Sequence, residues 1–161
     1  MEEYNKTGQW VEDLPKRGKN TILILIVMLF SFSSCLQSEE KKLNKLLLSG
    51  SIKPTSYRMN NDEQLKDIKS MSVKMRDGYY EIMITTTYGN NVYFTFKVEN
   101  ITANGKIIKG QISRVSMEQN DWAYIDDETI GSIEADTENC AVKIEIAMRI
   151  YQNTVRYVIE F

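Results

Sequence analysis

Residues 71–84 read Met-Ser-Val-Lys-Met-Arg-Asp-Gly-Tyr-Tyr-Glu-Ile-Met-Ile, and the dipeptide at their centre decides the fold. Asp77-Gly78 is a favoured two-residue hairpin turn, because both residue types tolerate positive φ. It sets Arg76 opposite Tyr79. Counting outward on one face, Met75 meets Tyr80, Val73 meets Ile82 and Met71 meets Ile84. All six are apolar. A one-residue slip would send every one of them to the other face, so the agreement fixes an antiparallel hairpin with one dry side.

The same reasoning extends downstream. Gly89-Asn90-Asn91 is the next expected turn, pairing Tyr88 with Val92, Ile84 with Phe96 and Ile82 with Val98. Past Val98 the apolar phase moves to Ile101 and Ala103, which predicts a bulge near Glu99 and Asn100. Asn104-Gly105 predicts a third hairpin, into a strand from Lys106 to about Met117. At the C-terminal end, Gln152-Asn153 predicts a hairpin that sets Ile150 against Val155, Met148 against Tyr157, Ile146 against Ile159 and Ile144 against Phe161. Its other face carries Lys143, Glu145, Arg149, Arg156 and Glu160, with Val158 the exception. Weaker strands over 51–57 and 129–135 bring the count to seven or eight. An antiparallel meander with one buried face must close or stack on itself, so the expected fold is all-β, a small barrel or sandwich. Two short helical stretches accompany it. Residues 38–48 suit a short helix capped by Ser38 or a tether, and residues 62–69 place Leu65 and Ile68 on one helical face.

Composition narrows the chemistry. The chain has 161 residues, a net charge of −2 and no histidine. Triads, proton shuttles and metal sites that rely on imidazole are therefore excluded. The near-neutral balance argues against a nucleic-acid surface, which needs clustered Lys and Arg in excess. No Gly-rich phosphate loop, Gly-x-Ser-x-Gly elbow or Cys-x-x-Cys pair occurs. No cofactor, metal site or catalytic residue is expected.

The first 34 residues have a different character. Lys16, Arg17 and Lys19 precede an apolar run over 21–32, which ends in Ser33, Ser34 and Cys35. A basic flank, a short apolar segment and a small-residue end form the three-part pattern of a secretory signal. The run is shorter than the roughly 20 apolar residues a spanning helix needs. Phe32-Ser33-Ser34-Cys35 resembles the lipobox of bacterial lipoproteins, with Phe32 standing where Leu is commoner. The resemblance covers residues 16–40. It implies cleavage before Cys35, acylation of its thiol and attachment of the mature protein to a membrane of the cell envelope. Leu36 is not the Asp that favours inner-membrane retention in some lipoproteins, and Gln37-Ser38-Glu39-Glu40 is similar to the acidic export tract of certain surface-displayed ones. An outer-membrane address, on the periplasmic side or the surface, is thus the expectation. The implied organisation is a signal peptide over 1–34, a lipidated cysteine with a tether or short helix over 35–50, and a β-domain over 51–161.

With Cys35 acylated, Cys140 is the one other thiol, expected as a small buried hydrophobe at a strand start. The distinctive mature segment is Asn120-Asp121-Trp122-Ala123-Tyr124-Ile125-Asp126-Asp127-Glu128. Trp122 and Tyr124 form a candidate stacking platform for a sugar or an anchor for a protein partner, against the alternative that they close one end of the β-fold. Asp126 and Asp127 extend this candidate binding segment. The acidic spacing lacks the glycine and ligand pattern of a calcium loop. Two functions remain: a non-enzymatic envelope binding module for a protein partner or a small apolar or sugar ligand, and a carboxylate-based glycan hydrolase.

Overall fold

The computed structural model describes residues 38–50, 53–120, 122–126 and 130–161, with Asp126 described in its backbone alone. Cys35 and the leader lie outside the described residues, as do Asp121 and Asp127.

The alternation of apolar and polar residues produces an all-β, antiparallel protein in which a single sheet curls into a half-barrel. Its strands are β1 (Ser56–Met59), β2 (Asp62–Glu63), β3 (Ile68–Arg76), β4 (Tyr79–Thr86) and β5 (Asn91–Asn104). They continue with β6 (Ile107–Gln119), β7 (Trp122–Asp126), β8 (Ile130–Asp136), β9 (Ala141–Ile150) and β10 (Asn153–Glu160). The sheet order is β2-β1-β10-β9-β8-β6-β5-β4-β3, with β7 also paired to β6. Among the described residues, ten strands replace the expected seven or eight, for two reasons. The short β2 adds one, and the segment after the β6 hairpin is split into β7 and β8. Both halves run antiparallel to β6, β7 against residues 115–119 and β8 against residues 107–112.

The inner face is apolar throughout. Ile82, Ile84, Phe94, Phe96, Ile133, Ile144, Ile146, Met148 and Ile159 are all buried. The apolar phase changes twice without breaking this face. Register shifts in the β5–β6 ladder between Glu99 and Thr102, and between Thr95 and Lys97, coincide with positive φ at Asn100 and Arg114. The first is the bulge expected near Glu99 and Asn100. Curvature also needs small residues. A Cβ on Gly131 would stand 2.8 Å from Ile112 Cβ and 2.9 Å from the Glu145 carbonyl oxygen.

The β3–β4 register is as expected, with Met75, Val73 and Met71 opposite Tyr80, Ile82 and Ile84. Three other turns differ. In the β4–β5 hairpin Ile84 pairs with Val92 and Ile82 with Phe94, a displacement of four. The loop is residues 87–89: Gly89, at φ +86, takes the left-handed last position of a three-residue loop instead of opening the turn. In the β9–β10 hairpin Ile146 pairs with Tyr157 and Ile144 with Ile159, a displacement of two, because Tyr151 and Gln152 form the turn. Both displacements are even, so the buried set is unchanged. The β5–β6 turn is Gly105-Lys106, with Asn104 paired to Ile107.

Residues 38–47 are helical (α1) and belong to the domain. Leu43 and Leu47, four apart on one face, are buried in the sheet's core cluster. The Tyr80 hydroxyl donates to Asn44 Oδ1. The second expected helix, over 62–69, is not one. Leu65–Asp67 is a single 3-10 turn, flanked by β2 and β3. Glu63 takes a different role there, accepting hydrogen bonds from Ser56 Oγ (2.7 Å), Tyr57 N (3.0 Å) and Leu65 N (2.9 Å).

Candidate functional site

The two ends of the half-barrel differ in chemistry. Strands β4, β6 and β9 all run toward one end, where residues 87–89, 120–121 and 151–152 connect them to β5, β7 and β10. The opposite end holds the turns at 77–78, 105–106 and 137–140. That second end is charged, with ion pairs Arg76–Asp77 (3.7 Å) and Lys106–Glu138. It also holds α1. Asn44 bonds to Tyr80, two residues beyond the 77–78 turn, and Lys42, Lys45, Leu46 and Ser49 form a cleft of about 490 Å³ with Thr137 and Cys140. Burial, together with the charge of Glu40, pushes the Tyr80 pKa up to about 12.

Cys140 belongs to this charged end and corrects an expectation. It is exposed, at φ +51, the last loop residue before β9, where a buried strand-start position was expected. The β8–β9 turn needs a left-handed residue at that point, which turns the side chain to solvent.

The other end is aromatic. Trp122 is 65% exposed and Tyr151 75%, and Tyr88 on the neighbouring β4–β5 loop is 80% exposed. The three tips are adjacent, since Val92 at the start of β5 pairs with Gln119 and Gln119 pairs with Trp122. Tyr124 pairs with Met117, whose side chain is buried, so Tyr124 and Trp122 alternate to the inner face. Tyr124 packs against the core, and its ring meets Tyr151 edge-on at 6.0 Å. A side-chain hydrogen bond with Tyr151, then burial, pushes the Tyr124 pKa up. Burial, then the neighbouring Tyr124, raises that of Tyr157, which packs edge-on against Phe94 at 4.9 Å. Tyr124 thus lies between the exposed rim and the core, in ring contact with Tyr151 and electrostatically coupled to Tyr157.

Tyr151, like Tyr88, is a residue that sequence reasoning missed. It occupies the first position of a two-residue turn at φ +55, where the comparable turns have Asp77 (φ 53) and Asn120 (φ 54). Asp and Asn enter the left-handed region readily, whereas a bulky side chain there costs about 1–2 kcal/mol. The edge contact with Tyr124 offsets about 0.5–1.5 kcal/mol of this. The available signal was an aromatic residue immediately before Gln152-Asn153, but the turn was expected one residue later.

Of the expected site residues, Trp122 and Tyr124 come together on one rim. The backbone of Asp126 pairs with Val115, the residue next to the positive-φ position Arg114. The Asp126 and Asp127 side chains are outside the described residues. Among the described residues no group of three His, Cys, Asp or Glu side chains is placed to hold a metal ion. A shallow cleft of about 280 Å³ on the charged end is lined in part by Glu134, Asp136 and Glu160. Glu134 pairs with Lys109 (2.8 Å) and Glu160 with Arg58 (2.9 Å), while bonds from Asn139 and Glu138 hold the Asp136 pKa below the usual carboxylate range. A glycosidase needs one carboxyl with a raised pKa, and this cluster offers the reverse at Asp136.

Comparison with known proteins gave no match to a family model, to a curated protein or to a solved structure.

Proposed function

We propose that this chain is a lipoprotein of the bacterial envelope, held in the outer membrane by acyl chains on Cys35, and that its β-domain is a non-enzymatic binding module. The observation that carries the reading is the exposed aromatic rim of Tyr88, Trp122 and Tyr151, with the half-buried Tyr124 beneath it, at the end of the sheet opposite α1. Residue 38, the first described residue of α1, follows Cys35 by three positions, a reach of at most about 10 Å at full extension. Lipid on Cys35 therefore holds the charged, helix-bearing end against the bilayer. At about 3.3 Å per residue, the eleven steps along β9 from Cys140 to Tyr151 carry the rim roughly 35 Å away. The rim then faces away from the anchoring membrane, where a partner or ligand is met. Each buried acyl methylene contributes about 0.8 kcal/mol, so two or three chains suffice for durable attachment.

The anchor is tested by replacing Cys35 with Ser and following membrane fractionation and palmitate labelling. The expected result is loss of label and release into the soluble fraction. Unchanged labelling and attachment would refute the lipoprotein reading.

A further inference from the structure

We propose that the aromatic rim is a carbohydrate platform for a neutral oligosaccharide, with Tyr88, Trp122 and Tyr151 stacking on sugar faces and neighbouring amides engaging the hydroxyls. This rests on the reading of the domain as a binding module and names its ligand class. Three adjacent hairpin tips each present one exposed aromatic ring beside amide side chains: Tyr88 with Asn90 and Asn91, Trp122 with Gln119 and Asn120, Tyr151 with Gln152 and Asn153. Across residues 86–91, 119–122 and 150–154 only Asp121 is charged, in a chain that is 26% charged overall.

That composition suits a neutral, hydroxyl-rich ligand. Ring faces bear partial negative charge and receive the C–H face of a pyranose, while side-chain amides offer donors and acceptors to paired hydroxyls; Asn91 offers its donors, since its Oδ1 already accepts from Thr85 Oγ1 at 2.9 Å. Protein-binding hot spots centre on aromatic and Arg anchors in desolvated pockets, and these tips hold no Arg, Met or Leu. A charged glycan or an anionic lipid headgroup would call for Lys or Arg at the tips, and the cations near α1 lie at the other end.

The backbone of Tyr151 points the same way. The ring is exposed, so burial does not account for a tyrosine in a left-handed turn position that Asn fills at residue 120. Residues kept against their local conformational preference cluster at functional positions. If Tyr151 serves a ligand, Tyr151→Asn relaxes the turn and removes binding together; if it serves the fold, the same change lowers stability.

The experiment uses the full chain in detergent, titrated with cellohexaose, chitohexaose or maltohexaose. Calorimetry measures binding, and Trp122, the only tryptophan after residue 10, reports by fluorescence. At least one oligosaccharide is expected to bind and shift the emission. Tyr151→Asn is expected to weaken that binding by at least about tenfold while its melting temperature stays level or rises. Trp122→Ala, followed by calorimetry alone, is expected to do the same to binding. Silence with all three sugars, wild-type affinity in Tyr151→Asn, or a fall in its melting temperature would each overturn the proposal. Should a purified protein partner bind through Trp122 and Tyr151 while the sugars stay silent, the sugar assignment fails and the binding module stands. The Cys35→Ser result bears on the anchor alone.

Discussion

Replacing Leu43 with Ala tests whether α1 is part of the domain or a strap leading to it. The Leu43 side chain is fully buried against the sheet. Truncating a buried leucine loses its transfer free energy and leaves a cavity, together about 2.7–5 kcal/mol. That is a large share of the roughly 5–15 kcal/mol by which a domain of this size is stable. At about 3–5 °C per kcal/mol for a chain of this length, the melting temperature should fall by roughly 10–20 °C. Leu48, one residue beyond the helix and 39% exposed, supplies the control, since its truncation should cost less than about 1 kcal/mol. The assay is urea unfolding followed by far-ultraviolet circular dichroism. The midpoint should move for Leu43→Ala with the slope unchanged, as expected when stability alone is altered. Equal costs at Leu43 and Leu48 would refute the placement of α1 in the core, and with it the separation of α1 and the aromatic rim to opposite ends.

Two further outcomes follow from local geometry. Gly131→Ala should destabilise by about 1–3 kcal/mol, measured by the same urea midpoints, because the new methyl meets a backbone oxygen and a β-carbon that cannot swing aside. Glu63 titrates below the usual carboxylate range, chiefly through the Ser56 hydroxyl and then the Tyr57 N–H. A depressed folded pKa means that its stabilising effect is present above the unfolded value of about 4.3 and is lost as pH falls through the folded one. Glu63→Gln should therefore flatten the decline in stability across that acid window; an unchanged pH profile would show that the carboxylate contributes nothing there.

Much of the fold was legible because side-chain alternation and turn chemistry are separate signals. Asp77-Gly78 has both residues at positive φ and fixed its hairpin directly. At Gly89 the residue type was read correctly and its place in the loop was not, since a glycine suits either the opening of a short turn or the close of a longer one. Tyr151 gave no turn signal at all, because its conformation runs against its propensity. The segment at 62–69 carried helical spacing, yet the Glu63 carboxylate and the start of β3 claimed its ends. For the candidate site, Trp122 and Tyr124 were visible as an aromatic pair. Their neighbours Tyr88 and Tyr151 lie 34 and 27 residues from them in the chain, and only the sheet order brings the tips side by side.

The terminal strands of the sheet, β2 and β3, are spliced by just Gln64–Asp67. Open sheet margins recruit strands from other molecules, a hazard that rises with crowding. Chains confined to a lipid surface meet one another in two dimensions, far more often than in free solution. Here the splice draws the margins together at one end, and the Glu63 carboxylate answers the amide of Tyr57 where a foreign strand would otherwise bond. The half-barrel thus carries its own guard against edge-to-edge polymerisation.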